Sequence, residues 1–199
     1  MSFSILIAVA VGILSGLFIF PDAFAQHIGI VIDIGLCTLL FFVGIDIGRN
    51  KDIISQVKLM GYKILLVPFS IALGSIVGSI LGGFVLGLPL NESGAIGAGF
   101  GWYTLSAIEL SKYSVETGAL AFITNVCREV IALVSIPYIA RHIGKLEAIA
   151  PAGATAMDTS LPVISKATDA NTAVVSFLTG VVLSTLVPIL VPIIIAIKL

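Results

Sequence analysis

Several charged side chains lie inside long apolar stretches of this sequence, and they are the residues best suited to chemistry. An ionised side chain at the centre of a bilayer costs at least ~2.5–3.5 kcal/mol, so each one should face a partner, water or a ligand. Asp158 stands in PAGATAMDTSLP (151–162), close to the hydroxyls of Thr155 and Thr159. We expect its carboxylate to bind a cationic substrate at the end of a broken helix. The alternative is that Asp158 only caps that helix.

A second polar group lies in the apolar run FITNVCREVIAL, where Asn125, Arg128 and Glu129 follow each other at spacings of three and one residues. If the run is helical, these three side chains share one face. Arg128 stays protonated in a protein, so we expect it to orient a carboxylate and not to relay protons. The alternative is a structural ion pair that holds helices together.

The segment GAIGAGFGWYTLSAIELSKY (94–113) begins with four glycines, which permit close backbone approach. Trp102, Ser106 and Glu109 share a face if the part after the glycines is helical, and Tyr103 follows Trp102. An aromatic ring and a carboxylate could form a cage for an ammonium group. Trp and Tyr are equally ordinary at a bilayer interface.

Two further acids belong to the second apolar run. Asp33 and Asp46 are 13 residues apart, which is about 20 Å along a helix, so they cannot share one site. Asp46 falls near the end of the run, whereas Asp33 is deep enough to be a candidate ion ligand. The next run has Gly74, Gly78 and Gly82 at a spacing that predicts a helix-packing face.

The composition places these residues in a membrane protein. The chain of 199 residues is 58% apolar and 11% charged, with a mean hydropathy of +1.18. A net charge of −1 without a basic patch excludes nucleic-acid binding. Cys37 and Cys127 lack metal or redox spacing, and no Ser/His or Asp/Asp constellation indicates an enzyme. We therefore expect neither enzymatic activity nor a cofactor.

A spanning helix needs about 20 apolar residues, and five runs reach that length. They are 2–20, 27–48, 61–87, 117–140 and 172–197. Segments 93–111 and 148–167 are apolar but rich in Gly, Pro or hydroxyls, and we predict that both are re-entrant hairpins. Broken backbone at membrane depth is tolerated only inside protein or beside a cavity, so two such breaks imply a cavity.

The basic residues decide between five and seven spans. With five, one side of the membrane holds Arg49, Lys51, Lys58, Arg141 and Lys145, as the positive-inside rule favours. The N-terminus is then cytoplasmic, the C-terminus lies outside, and the hairpins enter from opposite faces. We predict one all-α polytopic membrane transport domain over 1–199: residues 1–60 form two spans and a basic cytoplasmic linker, and 61–199 form the core. Paired discontinuous helices are typical of secondary transporters.

Several stretches resemble the prokaryotic lysine exporter family of the LysO type. They are GFGWYTLSAI (99–108), TNVCREVIAL (124–133), GATAMDTSLPVI (153–164), LVPILVPI (186–193) and, more weakly, LLFFVGIDIG (39–48). The resemblance implies export of L-lysine and of its analogue thialysine across the inner membrane, coupled to protons or to another cation such as sodium. It also implies that Asp158 is the acid of the family's Met-Asp-Thr motif.

Single-chain members of that family look longer, with further helices before the matched region. We therefore expect a small membrane protein to supply the N-terminal helices, or a homo-oligomer to form. Two alternatives to a lysine exporter remain from the residues alone: a cation-selective, channel-like subunit and a non-transporting structural subunit. Dependence of lysine flux on a counter-ion gradient separates the exporter from the channel.

Overall fold

The computed structural model describes residues 61–197, together with isolated helical positions between residues 7 and 45. The predicted spans 2–20 and 27–48 therefore lie largely outside the described residues. So do Asp33 and the basic linker up to residue 60.

Residues 61–197 form helices and contain no strand. The α-helices are α1 (Leu66–Val85), α2 (Leu90–Gly97), α3 (Tyr103–Ser111), α4 (Val115–His142), α5 (Leu161–Ala167) and α6 (Ala170–Ala196), and shorter 3-10 segments cover Gly61–Leu65, Glu147–Ile149 and Gly153–Met157. Within this part of the chain, α1, α4 and α6 are long and apolar enough to cross a membrane. They coincide with three predicted spans, which confirms the all-α membrane fold. The total of five spans stays a prediction.

Local signals set the starts of the two longest helices. Ser114 precedes α4 and its hydroxyl accepts the backbone N–H of Thr117 at 3.4 Å. Asp169 precedes α6 and accepts the N–H of Thr172 at 2.8 Å. These caps satisfy N–H groups that have no partner within the helix.

Helices α2 and α3 form a hairpin whose open end lies at the start of α4. Near the start of α2, Glu92 accepts a hydrogen bond of 2.9 Å from the hydroxyl of Thr117. Asn91 lines the same cavity as Glu109 and Lys112, which lie at the end of α3. The start of α2 and the end of α3 therefore lie together, and the turn between them points into the protein.

The segment between α4 and α6 forms a second hairpin with its open end at the other end of α4. Lys145, just after α4, forms an ion pair of 2.8 Å with Asp169, just before α6. Because α4 runs from the open end of the first hairpin to that of the second, the two hairpins have opposite orientations. Their turns meet inside the protein, where Phe100, Ala152 and Ala154 belong to the buried core.

One face of α1 packs against the first hairpin, where Ser79 donates to the carbonyl of Ser93 at 2.6 Å. There, a Cβ on Gly97 would lie 2.5 Å from the Cβ of Ser79. The predicted packing face of Gly74, Gly78 and Gly82 is a different one, and an added Cβ there would meet none of the described residues within 4 Å. That packing face stays a prediction.

Candidate functional site

The turns of the two hairpins are joined backbone to backbone. Phe100 and Gly101 interrupt the first hairpin with φ of 47° and 95°, and Gly153 interrupts the second with φ of 63°. The N–H of Ala154 donates to the carbonyl of Phe100 at 2.8 Å. At Gly153, an added Cβ would collide with that carbonyl and lie 2.9 Å from Nη2 of Arg128, so only glycine fits. The glycine-rich breaks that the sequence predicted thus meet at one junction.

Asn125 of α4 holds the turn of the first hairpin. Its Oδ1 accepts the backbone N–H of Gly101 at 2.7 Å, and its Nδ2 donates to the carbonyl of Ile96 at 3.3 Å. Asn125 is buried. The amide therefore replaces the helical hydrogen bonds that this turn loses at the break.

Arg128, less than one turn further along α4, holds the second hairpin. Its Nε donates to the carbonyl of Pro151 at 3.0 Å and its Nη2 to that of Ala150 at 3.3 Å, while Nη1 donates to the hydroxyl of Ser75 at 2.6 Å. Neither ion pair among the described residues includes Arg128. Among the described residues, Arg128 therefore binds carbonyl groups and a hydroxyl, and not the carboxylate that the sequence led us to expect. The irregular backbone before the turn presents carbonyl groups, and the guanidinium has the donors to bind them.

Glu129 and Asp158 lie on either side of one threonine. The hydroxyl of Thr159 donates to Oε1 of Glu129 at 2.5 Å, and its backbone N–H donates to Oδ1 of Asp158 at 2.6 Å. Ser160, and not Asp158, is the residue that precedes α5, and no side chain caps that helix. The capping interpretation of Asp158 is therefore not what the structure shows.

These residues line a partly open cavity of about 240 Å³. The predicted site residues that line it are Trp102, Tyr103, Glu129, Thr155, Asp158 and Thr159. Among the described residues of its wall there are two carboxylates and no basic side chain. The ring of Tyr103 packs edge-on against Phe122, with centroids 5.5 Å apart. The cavity therefore favours a small cationic ligand.

Other predicted site residues lie elsewhere. Asn125 and Arg128 bind the backbone of the two hairpins and do not line the cavity. Ser106 is buried and donates to the carbonyl of Trp102 at 2.9 Å. Glu109 forms an ion pair of 2.8 Å with Lys112 at the open end of the first hairpin. The expected cage of Trp102 and Glu109 is thus corrected, since seven helical residues place them about 10 Å apart along the axis. The carboxylates that share the cavity with Trp102 come from other segments.

Two residues that shape the site, Ser184 and Ser75, were not predicted from the sequence. Ser184 of α6 lines the cavity together with Met157. A weak signal existed, because Ser184 is a hydroxyl within an apolar helix, one turn after Gly180, and the backbone of Met157 approaches α6 at Gly180. Ser75, which binds Arg128, stands in a Gly- and Ser-rich run and has no signal of its own.

Long apolar helices and two broken helical hairpins that meet beside a cavity with two carboxylates define a multi-pass membrane protein with discontinuous helices. The chain belongs to the lysine exporter LysO family, whose family model matches residues 6–195. This is a family of transporters and not of enzymes, and the match confirms the resemblance inferred from the sequence.

Two curated relatives agree with this assignment. Lysine exporter LysO of Escherichia coli (strain K12) is 35% identical over 188 residues, which are 94% of this chain and 60% of that protein. A putative lysine exporter of Haemophilus influenzae is 34% identical over 156 residues, which are 78% of this chain and 79% of that protein. The chain thus spans about three fifths of the length of the Escherichia coli relative. No solved structure matches the chain significantly.

Proposed function

We propose that this chain exports L-lysine, and its analogue thialysine, across the cytoplasmic membrane as a secondary transporter coupled to protons or to sodium. The names of both relatives support the substrate. The observation that carries the proposal is the charge of the cavity, where Glu129 and Asp158 face a space without any basic side chain among the described lining residues.

The chemistry of lysine suits this lining. Lysine has two ammonium groups and one carboxylate, so its net charge is positive, and two carboxylates can each meet one ammonium group. In this proposal Asp158 binds the side-chain ammonium and Trp102 offers it an aromatic face. The hydroxyl of Ser184, which otherwise makes only a weak contact of 3.7 Å with the sulfur of Met157, is the donor for the substrate carboxylate. The cavity of about 240 Å³ has room for a small solute such as an amino acid.

The opposite orientations of the hairpins support alternating access. In the proposed topology the first hairpin enters from outside and the second from the cytoplasm, so their junction lies near the bilayer midplane. Separation of the hairpins on one side or the other would then open the cavity to one face at a time. For the coupling ion, the candidates are Asp33, an acid of a partner membrane protein, and Glu129, which shares Thr159 with Asp158.

Reconstitution tests this function directly. The purified chain is placed in proteoliposomes loaded with labelled lysine, and efflux is measured with and without imposed gradients of pH and of sodium. We expect a saturable efflux that one of these gradients accelerates and that excess unlabelled lysine, but not leucine, inhibits. A lysine flux that ignores both gradients would indicate a channel. Absence of flux, both from the chain alone and after co-expression with the small membrane protein expected to supply the N-terminal helices, would indicate a structural subunit. Either result overturns the proposal.

A further inference from the structure

Ser75 connects the two hairpins although it lies outside the cavity that holds Asp158. It is a half-buried residue of α1, and its hydroxyl makes two hydrogen bonds. The hydroxyl donates to the carbonyl of Gly97 at 2.8 Å and accepts from Nη1 of Arg128 at 2.6 Å. A serine hydroxyl has one donor and two acceptor sites, so a single residue can do both.

The partners of Ser75 belong to different hairpins. Gly97 is the last residue of α2 before the first hairpin breaks. Arg128 donates on its other side to the carbonyls of Ala150 and Pro151, which lead into the turn of the second hairpin. A continuous chain of hydrogen bonds therefore runs from one hairpin through α1 and Arg128 to the other.

We propose that Ser75 is a positioning residue. It acts through Arg128 to fix the position of the two hairpin turns relative to each other beside the cavity. Loss of its hydroxyl removes the acceptor for Nη1 and the donor for the Gly97 carbonyl at the same time. Unpaired polar groups are costly where water is scarce, so the guanidinium must reorient and release the segment before Gly153. That segment carries the backbone that places Thr155 and Asp158.

Ser79 provides a matched control on the same helix. It lies one turn after Ser75, is also half-buried, and donates to a carbonyl of the first hairpin, that of Ser93, at 2.6 Å. In the described residues its hydroxyl makes no bond to Arg128 or to the second hairpin. Replacement of Ser79 thus removes a contact between α1 and the first hairpin but leaves the chain to the second hairpin intact.

Hydrogen–deuterium exchange tests the proposal without any substrate. Both Ser75→Ala and Ser79→Ala should speed exchange in residues 93–97, but only Ser75→Ala should speed it in residues 150–157. The N–H of Ala154, bound to Phe100 in the wild type, should exchange at least several-fold faster. In an Arg128→Lys background, Ser75→Ala should change the exchange of residues 150–157 little further, because Ser75 acts through the guanidinium group that this background lacks.

The transport readout rests on the proposed function. Ser75→Ala should raise the KM for lysine several-fold and Ser79→Ala should not, while both fold with similar thermal stability. Equal exchange in residues 150–157 for the two variants, or equal KM values, would show that Ser75 is only a packing contact. If the wild type moves no lysine, the proposed function fails, and the exchange experiment still decides whether Ser75 links the hairpins.

Discussion

Glu129 and Asp158 are bridged by Thr159, although Glu129 belongs to α4 and Asp158 to the turn of the second hairpin. The threonine hydroxyl binds Glu129 and its N–H binds Asp158. Two carboxylates that approach each other without a basic neighbour in the cavity wall repel one another. A cation or a shared proton between them would relieve this repulsion, so the cavity is suited to positive charge.

The first prediction concerns the charge of Asp158. Asp158→Asn keeps the shape and the acceptor for the N–H of Thr159 but removes the negative charge, so we expect a folded protein whose lysine efflux is abolished. Efflux from proteoliposomes, together with the unfolding temperature, measures both effects. Asp169→Asn is the matched control, because this acid lies at the open end of the same hairpin and pairs with Lys145. Normal efflux by the Asp158 variant would contradict a role in substrate binding.

A second prediction follows from the contacts of Arg128. Arg128→Ala leaves the carbonyls of Ala150 and Pro151 and the hydroxyl of Ser75 without their donor, so stability should fall by about 1–3 kcal/mol. Thermal unfolding in detergent measures this loss. Arg141→Ala, at the exposed end of α4, should unfold close to the wild-type temperature. Equal unfolding temperatures for the two variants would contradict the anchoring role.

Gly180 gives a third prediction. An added Cβ would lie 2.5 Å from the backbone nitrogen of Met157 and 2.9 Å from the carbonyl of Ala154, so Gly180→Ala must push the second hairpin away from α6. Overpacking of this kind costs about 1–3 kcal/mol. Gly78→Ala, where a Cβ meets nothing within 4 Å among the described residues, should cause no loss. If both variants unfold at the same temperature, the hairpin does not rest on α6 at Gly180.

Asp169 gives the fourth prediction, which concerns acid. Partial burial alone would raise its pKa, but hydrogen bonds from Lys145 and Thr172 outweigh this and lower the pKa of Asp169 below its usual range. A lowered folded pKa stabilises the protein above the ordinary aspartate pKa of about 3.9, and this stabilisation is lost as the pH falls through the folded value. The gap in unfolding temperature between wild type and Asp169→Asn should therefore close in acid.

The background of Lys145→Gln supplies the control for this experiment. Without the lysine, the main cause of the lowered pKa of Asp169 is absent. The difference in unfolding temperature between Lys145→Gln and the double variant Lys145→Gln, Asp169→Asn should therefore depend less on pH. A gap that persists at acid pH would contradict the ion pair as its source.

The sequence predicted the broken segments and the polar face of α4 well, because both are local signals. Glycines mark the breaks, and the spacing of Asn125, Arg128 and Glu129 marks a common face. It did not predict which group each side chain meets. Arg128 binds carbonyls and Ser75 because the irregular backbone of the second hairpin reaches α4 from a distant part of the chain, and such contacts leave no periodic pattern. Ser184 was missed for the same reason.

The fifth prediction tests the topology. With Cys37 and Cys127 replaced by serine, Lys112→Cys and Ile143→Cys place one thiol at each end of α4, both at exposed positions. The five-span arrangement expects an impermeant reagent to label the first from outside and the second from the cytoplasm. Seven spans give the reverse for both. Labelling of residue 112 only from inside would end the proposal of two re-entrant hairpins.

Asn125, Arg128 and Glu129 occupy little more than one turn of α4, about 6 Å of its axis. Between them they bind the turn of the first hairpin and both legs of the second. A shift of the pairing by one residue would rotate the whole set by about 100° and break every bond together. The position of α4 is therefore fixed by both hairpins at once: a slip by one residue would lose the hydrogen bonds to the first hairpin and to the second together.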